Sequence, residues 1–229
     1  MFGVPARDPL HTVLNVKALV SPTDAVAMLG RALHASCAAH AIALATEGLP
    51  RPTEARPLRY ASACSGIDLA AVAMDTLFPR AWTYVFASEE ADDVAEVLFT
   101  AHAPRGLARD AIRPDEPDAR AAAATVDAPP VDVWFASPPC QSYSRRNHAR
   151  SDASDVRALS DFDTMLDYVR AHRPRAVVTE NVDEPASRTA ITAALLSVEG
   201  YEWQQWAADA RLFGSMARGR RFWMGRRAP

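Results

Sequence analysis

The chain of 229 residues has little cysteine, almost no lysine and no long apolar run. Its three widely spaced cysteines favour a reduced, intracellular protein of the cytoplasm or nucleus over a disulfide scaffold. No stretch reaches the roughly 20 apolar residues of a membrane span, and the N-terminus lacks the basic-then-apolar pattern of a signal peptide. Because 49% of the residues are nevertheless apolar, we expect one large domain with a substantial core rather than two small ones.

The basic charge is almost entirely arginine, since Lys17 is the only lysine. A formal net charge of −3 excludes a globally basic nucleic-acid binder. No acidic residue follows Asp209, whereas six arginines do: Arg211, Arg218, Arg220, Arg221, Arg226 and Arg227. Guanidinium groups match phosphates and base edges, so this end could contact nucleic acid, although a solvated surface explains any one of these arginines equally well.

Strand and helix patterns alternate from residue 58 onward. The predicted strands are 58–64, 82–88, 131–137, 175–180, 203–207 and 221–224. The predicted helices between them are 68–77, 92–101, 162–170 and 186–198, with residues 103–130 irregular. This alternation predicts an α/β fold with a doubly wound, mostly parallel sheet and helices on both faces.

An alanine-rich segment precedes this alternation. Ser21 is a candidate N-cap with Pro22 in the first turn, and residues 25–44 have helical character. Residues 46–57 contain prolines and a glycine, which is typical of a linker. We therefore divide the chain into an N-terminal helical segment with its linker, residues 1–57, and a main domain, residues 58–229.

The strand 131–137 leads directly into Pro138, Pro139 and Cys140. Neither proline can donate to a strand ladder and each fixes its own φ, so the strand must end there. Cys140 then follows at the carboxyl end of a strand, where open α/β sheets bind their ligands. It is a candidate nucleophile, and the polar run 141–146 favours an electropositive surrounding for its thiolate. The alternative is a small thiol that fills a gap in the core.

Three other strand ends carry polar residues. Ser65 and Gly66 turn from the first strand into a helix, where a nucleoside cofactor would meet free backbone amides, although a tight turn explains a single glycine better. Glu89 and Glu90 end the second strand, where an acid commonly holds ribose hydroxyls or only interacts with the next helix. Glu180 ends the strand that we expect beside the cysteine strand, and burial there would let it share or donate a proton.

In their order and spacing, these stretches resemble the cytosine-C5 methyltransferase family over residues 58–226. The tripeptide Pro139-Cys140-Gln141 resembles the nucleophile motif of that family. The tripeptide Glu180-Asn181-Val182 resembles its second signature. These two tripeptides in this order are the most specific part of the resemblance.

The late motif departs from the family pattern. Ala217 and Gly219 stand where the family has glutamine and its first arginine, so only Arg221 aligns with the arginine that contacts the base. The sequence also ends at Pro229, where the family would insert its target-recognition region and two closing motifs. The stretch 28–34 and the apolar helix after it resemble the family's last motif, which implies a circular permutation with this helix placed first.

The resemblance implies a Rossmann-like fold, S-adenosylmethionine as the cofactor, and methylation of cytosine at C5 in DNA. Cys140 would add to C6 of the cytosine, Glu180 would bind N3 and the exocyclic amine, and Arg221 would hold O2. The implied cofactor contacts are Ser65, Gly66, Ile67, Glu89, Glu90, Asp110, Pro138 and Leu159. The implied substrate contacts are Gln141, Ser144, Arg145 and Asn181, and the loop 142–157 would close on the nucleic-acid backbone.

The implied partner is DNA, with the target cytosine flipped out of the duplex. Neither a metal ion nor a membrane is implied, and a separate specificity subunit could supply a recognition region. Two alternatives stay open. One is a catalytically impaired domain that binds cofactor or regulates a partner, and the other is an enzyme that acts on cytosine in RNA.

Overall fold

The computed structural model describes residues 34–89, 91–108, 129–138, 162–163, 165–209, 211 and 219–228. The helices within these ranges are α1 (Ala35–Thr46), α2 (Leu69–Leu77), α3 (Asp92–His102), α4 (165–172) and α5 (Pro185–Leu196). The strands are β1 (Leu58–Ala63), β2 (Trp82–Ser88), β3 (Gly106–Ala108), β4 (Val133–Ala136), β5 (Ala176–Val182), β6 (Tyr201–Asp209) and β7 (Gly219–Arg227). Strands and helices alternate from β1 to β3 and again from β4 to β6.

These seven strands form one sheet in the order β3-β2-β1-β4-β5-β7-β6. β1 pairs in parallel with β2 and with β4, and the parallel pairing continues to β3 on one side and to β5 on the other. β7 is antiparallel to both of its neighbours, β5 and β6. The predicted doubly wound, mostly parallel sheet is confirmed. The strand order reverses between β1 and β4, where such sheets bind their ligands.

Both faces of the sheet are buried, as is usual for central parallel strands. On one face, α1 and α2 pack against the strands, and Ile42 and Met74 lie in this core without exposure to solvent. On the other face, α4 and α5 pack around Trp134, Tyr168 and Ile191. The predicted helices on both faces are therefore confirmed. Among the described helices, none combines the length and the apolar composition needed to cross a membrane.

The strand and helix bounds differ from the predicted ones where the local pattern is weak. β2 coincides with the predicted strand 82–88. β3 falls in a segment predicted to be irregular and pairs with Phe86–Ser88, and its three residues are too few to show an alternation. The predicted helix over 25–44 lies partly outside the described residues, and α1 begins at Ala35 and continues to Thr46.

Candidate active site

The carboxyl ends of β1, β2, β4 and β5 meet along one edge of the sheet, because these four strands are parallel to one another. β4 and β5 stay in register up to Ala136 and Thr179. The next residues along the two strands, Ser137 and Glu180, therefore lie side by side. This edge is where the sequence predicts the catalytic and cofactor-binding residues.

The loop after β1 contacts the end of β2. Cys64 and Gly66 have positive φ values, of 49° and 56°. The Gly66 amide donates a 2.7 Å hydrogen bond to Oε2 of Glu89, and the Ser65 amide donates to the Ser88 carbonyl at 3.0 Å. A Cβ atom on Gly66 would meet no other atom within 4 Å, so the space beside this residue is open. Two of the strand ends predicted to hold a cofactor are thus in direct contact.

A buried carboxylate supports this loop from the sheet side. Asp68, at the start of α2, has a φ of 44° and only 3% of its surface exposed. Its oxygens accept hydrogen bonds from the hydroxyls of Tyr60, Ser62 and Tyr84 and from the Ala71 amide. Burial raises the pKa of Tyr60 and Tyr84 well above the ordinary tyrosine value, and the charge of Asp68 raises it further. Both phenols therefore stay protonated and can donate to the carboxylate.

Glu180 is held between two elements at the end of β5. Its side chain is nearly buried, and Oε2 accepts a 2.6 Å hydrogen bond from the Ser137 hydroxyl. Nε of Arg220 lies 2.6 Å from Oε1, but this close ion pair is not aligned as a hydrogen bond, and Oε1 accepts none from the described residues.

The negative charge of Glu180 also acts on a cysteine of α1. Burial raises the pKa of the Cys37 thiol, and the charges of Asp209 and Glu180 raise it further.

The structure does not bring Arg221 together with Glu180. Nε of Arg221 donates a 2.8 Å hydrogen bond to Asp183. Neighbouring residues of a strand point to opposite faces, and the register of β7 on β5 places Arg220, not Arg221, on the face of Glu180. Burial alone would raise the pKa of Asp183, but hydrogen bonds and charges from Arg221 and Arg188 outweigh it and lower that pKa. Arg221 therefore acts as the ion-pair partner of Asp183.

Asn181 contacts the protein rather than open space. Its side chain is 1% exposed, and Nδ2 donates a 3.2 Å hydrogen bond to the Pro138 carbonyl. Oδ1 accepts from the Val182 amide at 2.8 Å. Asn181 thus ties the end of β5 to Pro138, and its predicted contact with the substrate stays a prediction.

A groove of about 510 Å³ lies away from this edge. Its lining residues belong to the first halves of β1 and β2 and to their surroundings: Pro57, Arg59, Thr83, Val85, Phe86, Arg105, Gly106 and Pro129. None of these is a predicted site residue. The groove is therefore separate from the candidate active site.

The family model described as C-5 cytosine-specific DNA methylase matches residues 60–228. The chain belongs to this family. Its predicted resemblance to cytosine-C5 methyltransferases is thereby confirmed. None of the curated protein sequences matches the chain.

Solved methyltransferase structures share the fold of this family member. A protein encoded within an Escherichia coli prophage and named as a DNA modification methyltransferase is 15% identical, with a TM-score of 0.53, over 74% of this chain and 47% of its own. TrmN from Thermus thermophilus is 15% identical, with a TM-score of 0.57, over 87% and 51%. The Dnmt2 methyltransferase of Schizosaccharomyces pombe is 19% identical, with a TM-score of 0.50, over 74% and 49%. The chain thus spans about half the length of each of these structures.

Several predicted contacts of the methylase site fall outside the described residues. These are Glu90, Asp110, Cys140, Gln141, Ser144, Arg145 and Leu159. Among the described ones, Ser65, Gly66 and Glu89 lie together at the open edge. The Ile67 side chain is buried, and its carbonyl is hydrogen-bonded to Nε2 of His102 at 3.0 Å. Pro138 is buried beside Asn181.

Two residues that contact Glu180 in the candidate site were not predicted from the sequence, Ser137 and Arg220. Ser137 ends the predicted cysteine strand and carries a hydroxyl directly before two prolines, which is a signal that sequence reasoning could have used. Arg220 gives no such signal, because the choice between it and Arg221 depends on the register of β7 against β5. That register involves residues far apart in the chain.

Proposed function

We propose that this chain methylates C5 of cytosine in DNA, with S-adenosylmethionine as the methyl donor and Cys140 as the transient nucleophile. The observation that carries the proposal is the position of Glu180, which is bonded to Ser137, three residues before Cys140. Chain connectivity keeps Cys140 within about 7 Å of Pro138. An acid and a thiol can therefore face a single pyrimidine ring at this edge.

The described residues fit S-adenosylmethionine. Gly66 is open on one side, and its amide and the Glu89 carboxylate lie together near the reversal of strand order. A carboxylate at the end of the second strand suits ribose hydroxyls. Ser65, Gly66 and Glu89 would therefore hold the nucleoside. The bound cofactor supplies an electrophilic methyl group.

In this proposal, Cys140 and Glu180 act on opposite atoms of the cytosine ring. The lone pair of the Cys140 thiolate forms the S–C6 bond, and the π electrons of the C5–C6 bond make C5 nucleophilic. Glu180 binds N3 and the exocyclic amine, and it passes a proton from water to N3 as negative charge develops on the ring. The same carboxylate takes that proton back when the sulfur is expelled. After C5 has gained the methyl group, its proton leaves to water, and the electron pair of that C–H bond expels the sulfur from C6.

In this proposal, Arg220 holds O2 of the cytosine, which is the role that the family resemblance implies for Arg221. Its guanidinium already contacts Glu180 and is 17% exposed, so it can donate to O2 of a base that sits against that acid. Arg221 instead forms an ion pair with Asp183. This assignment keeps one arginine beside the pyrimidine, but that arginine is Arg220 instead of Arg221.

Base flipping and recognition of the target sequence are also part of the proposed function. C6 is out of reach inside a duplex, so the cytosine must be flipped out at a cost of a few kcal/mol. The proposal also includes a separate specificity subunit that supplies a target-recognition region. α2 follows the loop that would hold the cofactor, and α1 packs beside α2. This packing supports the assignment of α1 to the permuted last motif.

Trapping of the covalent adduct tests this function. DNA containing 5-fluorocytosine is incubated with the protein and labelled S-adenosylmethionine, because fluorine at C5 cannot leave as a proton and the sulfur stays attached. We expect a complex that survives denaturation with the wild type and none with Cys140→Ala. Cys37→Ala is the matched control, since that thiol is buried in the core under α1, and it should still form the adduct.

The same assay with RNA separates the alternatives. An adduct on RNA but not on DNA would replace DNA as the substrate and keep the mechanism. If neither nucleic acid yields an adduct, the proposed activity is contradicted, and a protein that binds cofactor or a partner becomes the better explanation. An adduct with Cys140→Ala would assign the nucleophile to another residue.

A further inference from the structure

Ser137 occupies the one place in the described site where a neutral side chain contacts the catalytic acid. Its hydroxyl donates to Oε2 of Glu180 at 2.6 Å. The Ser137 amide donates to the Ala63 carbonyl at 3.1 Å. Ser137 follows the end of β4, and its amide is bonded to the end of β1. Its position is therefore fixed while its hydroxyl contacts a side chain of β5.

This hydrogen bond decides how the carboxyl group of Glu180 is turned. The terminal torsion of a glutamate is broad, so the side chain by itself does not fix the angle of the carboxyl plane, and its two oxygens are equivalent until a partner distinguishes them. Short hydrogen bonds to a carboxylate are about twice as strong as neutral ones. With Oε2 taken by Ser137, Oε1 is the oxygen left beside Arg220 and without an aligned donor.

We propose that Ser137 is a positioning residue that presents Oε1 of Glu180 to the pyrimidine. The proposal rests on the proposed function and adds a residue to it. Without the hydroxyl, Oε2 would be left without its hydrogen bond in a nearly closed site, and the carboxyl group could turn away from N3. The step that suffers is the addition of the Cys140 sulfur to C6, because it depends on the proton that Glu180 supplies.

The addition step can be measured without methyl transfer, as the release of tritium from C5 of labelled cytosine in DNA. For Ser137→Ala we expect tritium release and kcat to fall roughly 10- to 100-fold, at the lower end of what a positioned acid contributes. The KM values for DNA and cofactor should change less than about twofold, since neither ligand loses a contact of its own. Ser137→Thr retains the hydroxyl and should recover most of the rate.

Thr179→Val is the matched control on the neighbouring strand. Thr179 is buried directly before Glu180, and its hydroxyl has no hydrogen-bond partner in the described part of the chain. This variant removes a buried hydroxyl that does not contact Glu180 and should leave tritium release unchanged. An unchanged rate for Ser137→Ala, an equal loss in Ser137→Thr, or a loss confined to KM would each overturn the positioning role.

A double-mutant cycle separates this inference from the proposed activity. It compares unfolding equilibrium constants of the wild type, Ser137→Ala, Glu180→Ala and the double variant, because Glu180→Ala removes both oxygens that could accept from Ser137. We expect the two substitutions to be coupled by at least about tenfold, as for a hydrogen bond to a charged group. A wild type without tritium release would contradict the proposed function, while this cycle would still decide whether Ser137 holds Glu180. Coupling below about twofold would overturn the inference.

Discussion

Two adjacent arginines of β7 have different partners, although they have the same chemistry. Arg220 contacts Glu180, and Arg221 contacts Asp183. Both side chains are less than a fifth exposed, so the partner of each is set by the strand face rather than by free movement of a long side chain. At the scale of single residues, the charge next to Glu180 is therefore decided by one position along β7.

Substitution of these two arginines distinguishes their roles. Arg220→Ala should lower kcat/KM for methylation roughly 100-fold, as expected when one donor to developing charge is lost. Arg221→Ala should keep kcat/KM within about tenfold and instead lower the free energy of unfolding by about 1 kcal/mol, because Asp183 loses a hydrogen bond. The measurements are steady-state kinetics and urea denaturation. A larger kinetic loss in Arg221→Ala would restore the alignment-based assignment.

At the scale of elements, α1 belongs to the same core as the sheet. Its buried residues pack with α2, and the helix also contacts β5 and β7. Midway along the helix, the rings of His40 and Trp206 are 4.5 Å apart, which ties the helix to β6. The boundary at residue 57 is therefore a change in sequence character and does not separate two cores.

Truncation of buried and half-buried side chains on α1 tests this shared core. Ile42 is fully buried, and Ile42→Ala should lower the free energy of unfolding by about 2–5 kcal/mol through lost apolar burial and the cavity left behind. Leu44→Ala, two positions along the same helix, is the control and should cost clearly less because Leu44 is only partly buried. Urea denaturation of the two variants provides the comparison. Equal, small losses would mean that α1 is only loosely attached to the sheet.

At the scale of the whole molecule, burial keeps several tyrosine hydroxyls un-ionised. The pKa of Tyr60, Tyr84 and Tyr168 is raised, in each case chiefly by burial. Burial also raises the pKa of Tyr201 to about 12. These tyrosines lie on both faces of the sheet and at its edge, so their response to alkali reports on the folded molecule as a whole.

The stability of the protein should therefore fall in alkali. A raised pKa in the folded state means that the stabilisation is complete below the unfolded value, about pH 10, and is lost as the pH rises above it. For each of Tyr60 and Tyr84, the expected loss is up to about 1.4 kcal/mol per pH unit. Urea denaturation at pH values on either side of 10 measures the slope.

A double variant is the control for this slope. Tyr60→Phe with Tyr84→Phe should show a flatter decline above pH 10 than the wild type. The comparison cancels the contribution of Cys37, whose thiol pKa is also raised. If the free energy of unfolding declines equally with pH in the two proteins, the decline does not come from Tyr60 and Tyr84.

Local signals in the sequence predicted the strand ends and therefore most of the site. The β-branched and aromatic run of β4 and the two prolines after it mark where that strand stops. The run before Glu180 places this residue near the end of β5, which continues to Val182. Because parallel strands end on one edge, these local signals were enough to expect Ser65, Gly66, Glu89 and Glu180 close together. The described part of the chain has the first three in contact and Glu180 at the same edge.

The tertiary structure alone decided which way the side chains at that edge point. Arg220 faces Glu180 because β7 pairs antiparallel with β5 in one register, and a shift of a single residue would exchange it for Arg221. Asn181 turns to Pro138, and Ser137 to Glu180, only because β4 and β5 are neighbours. The sequence determines where each strand begins and ends through local propensity, whereas the direction of a side chain depends on pairing with distant parts of the chain.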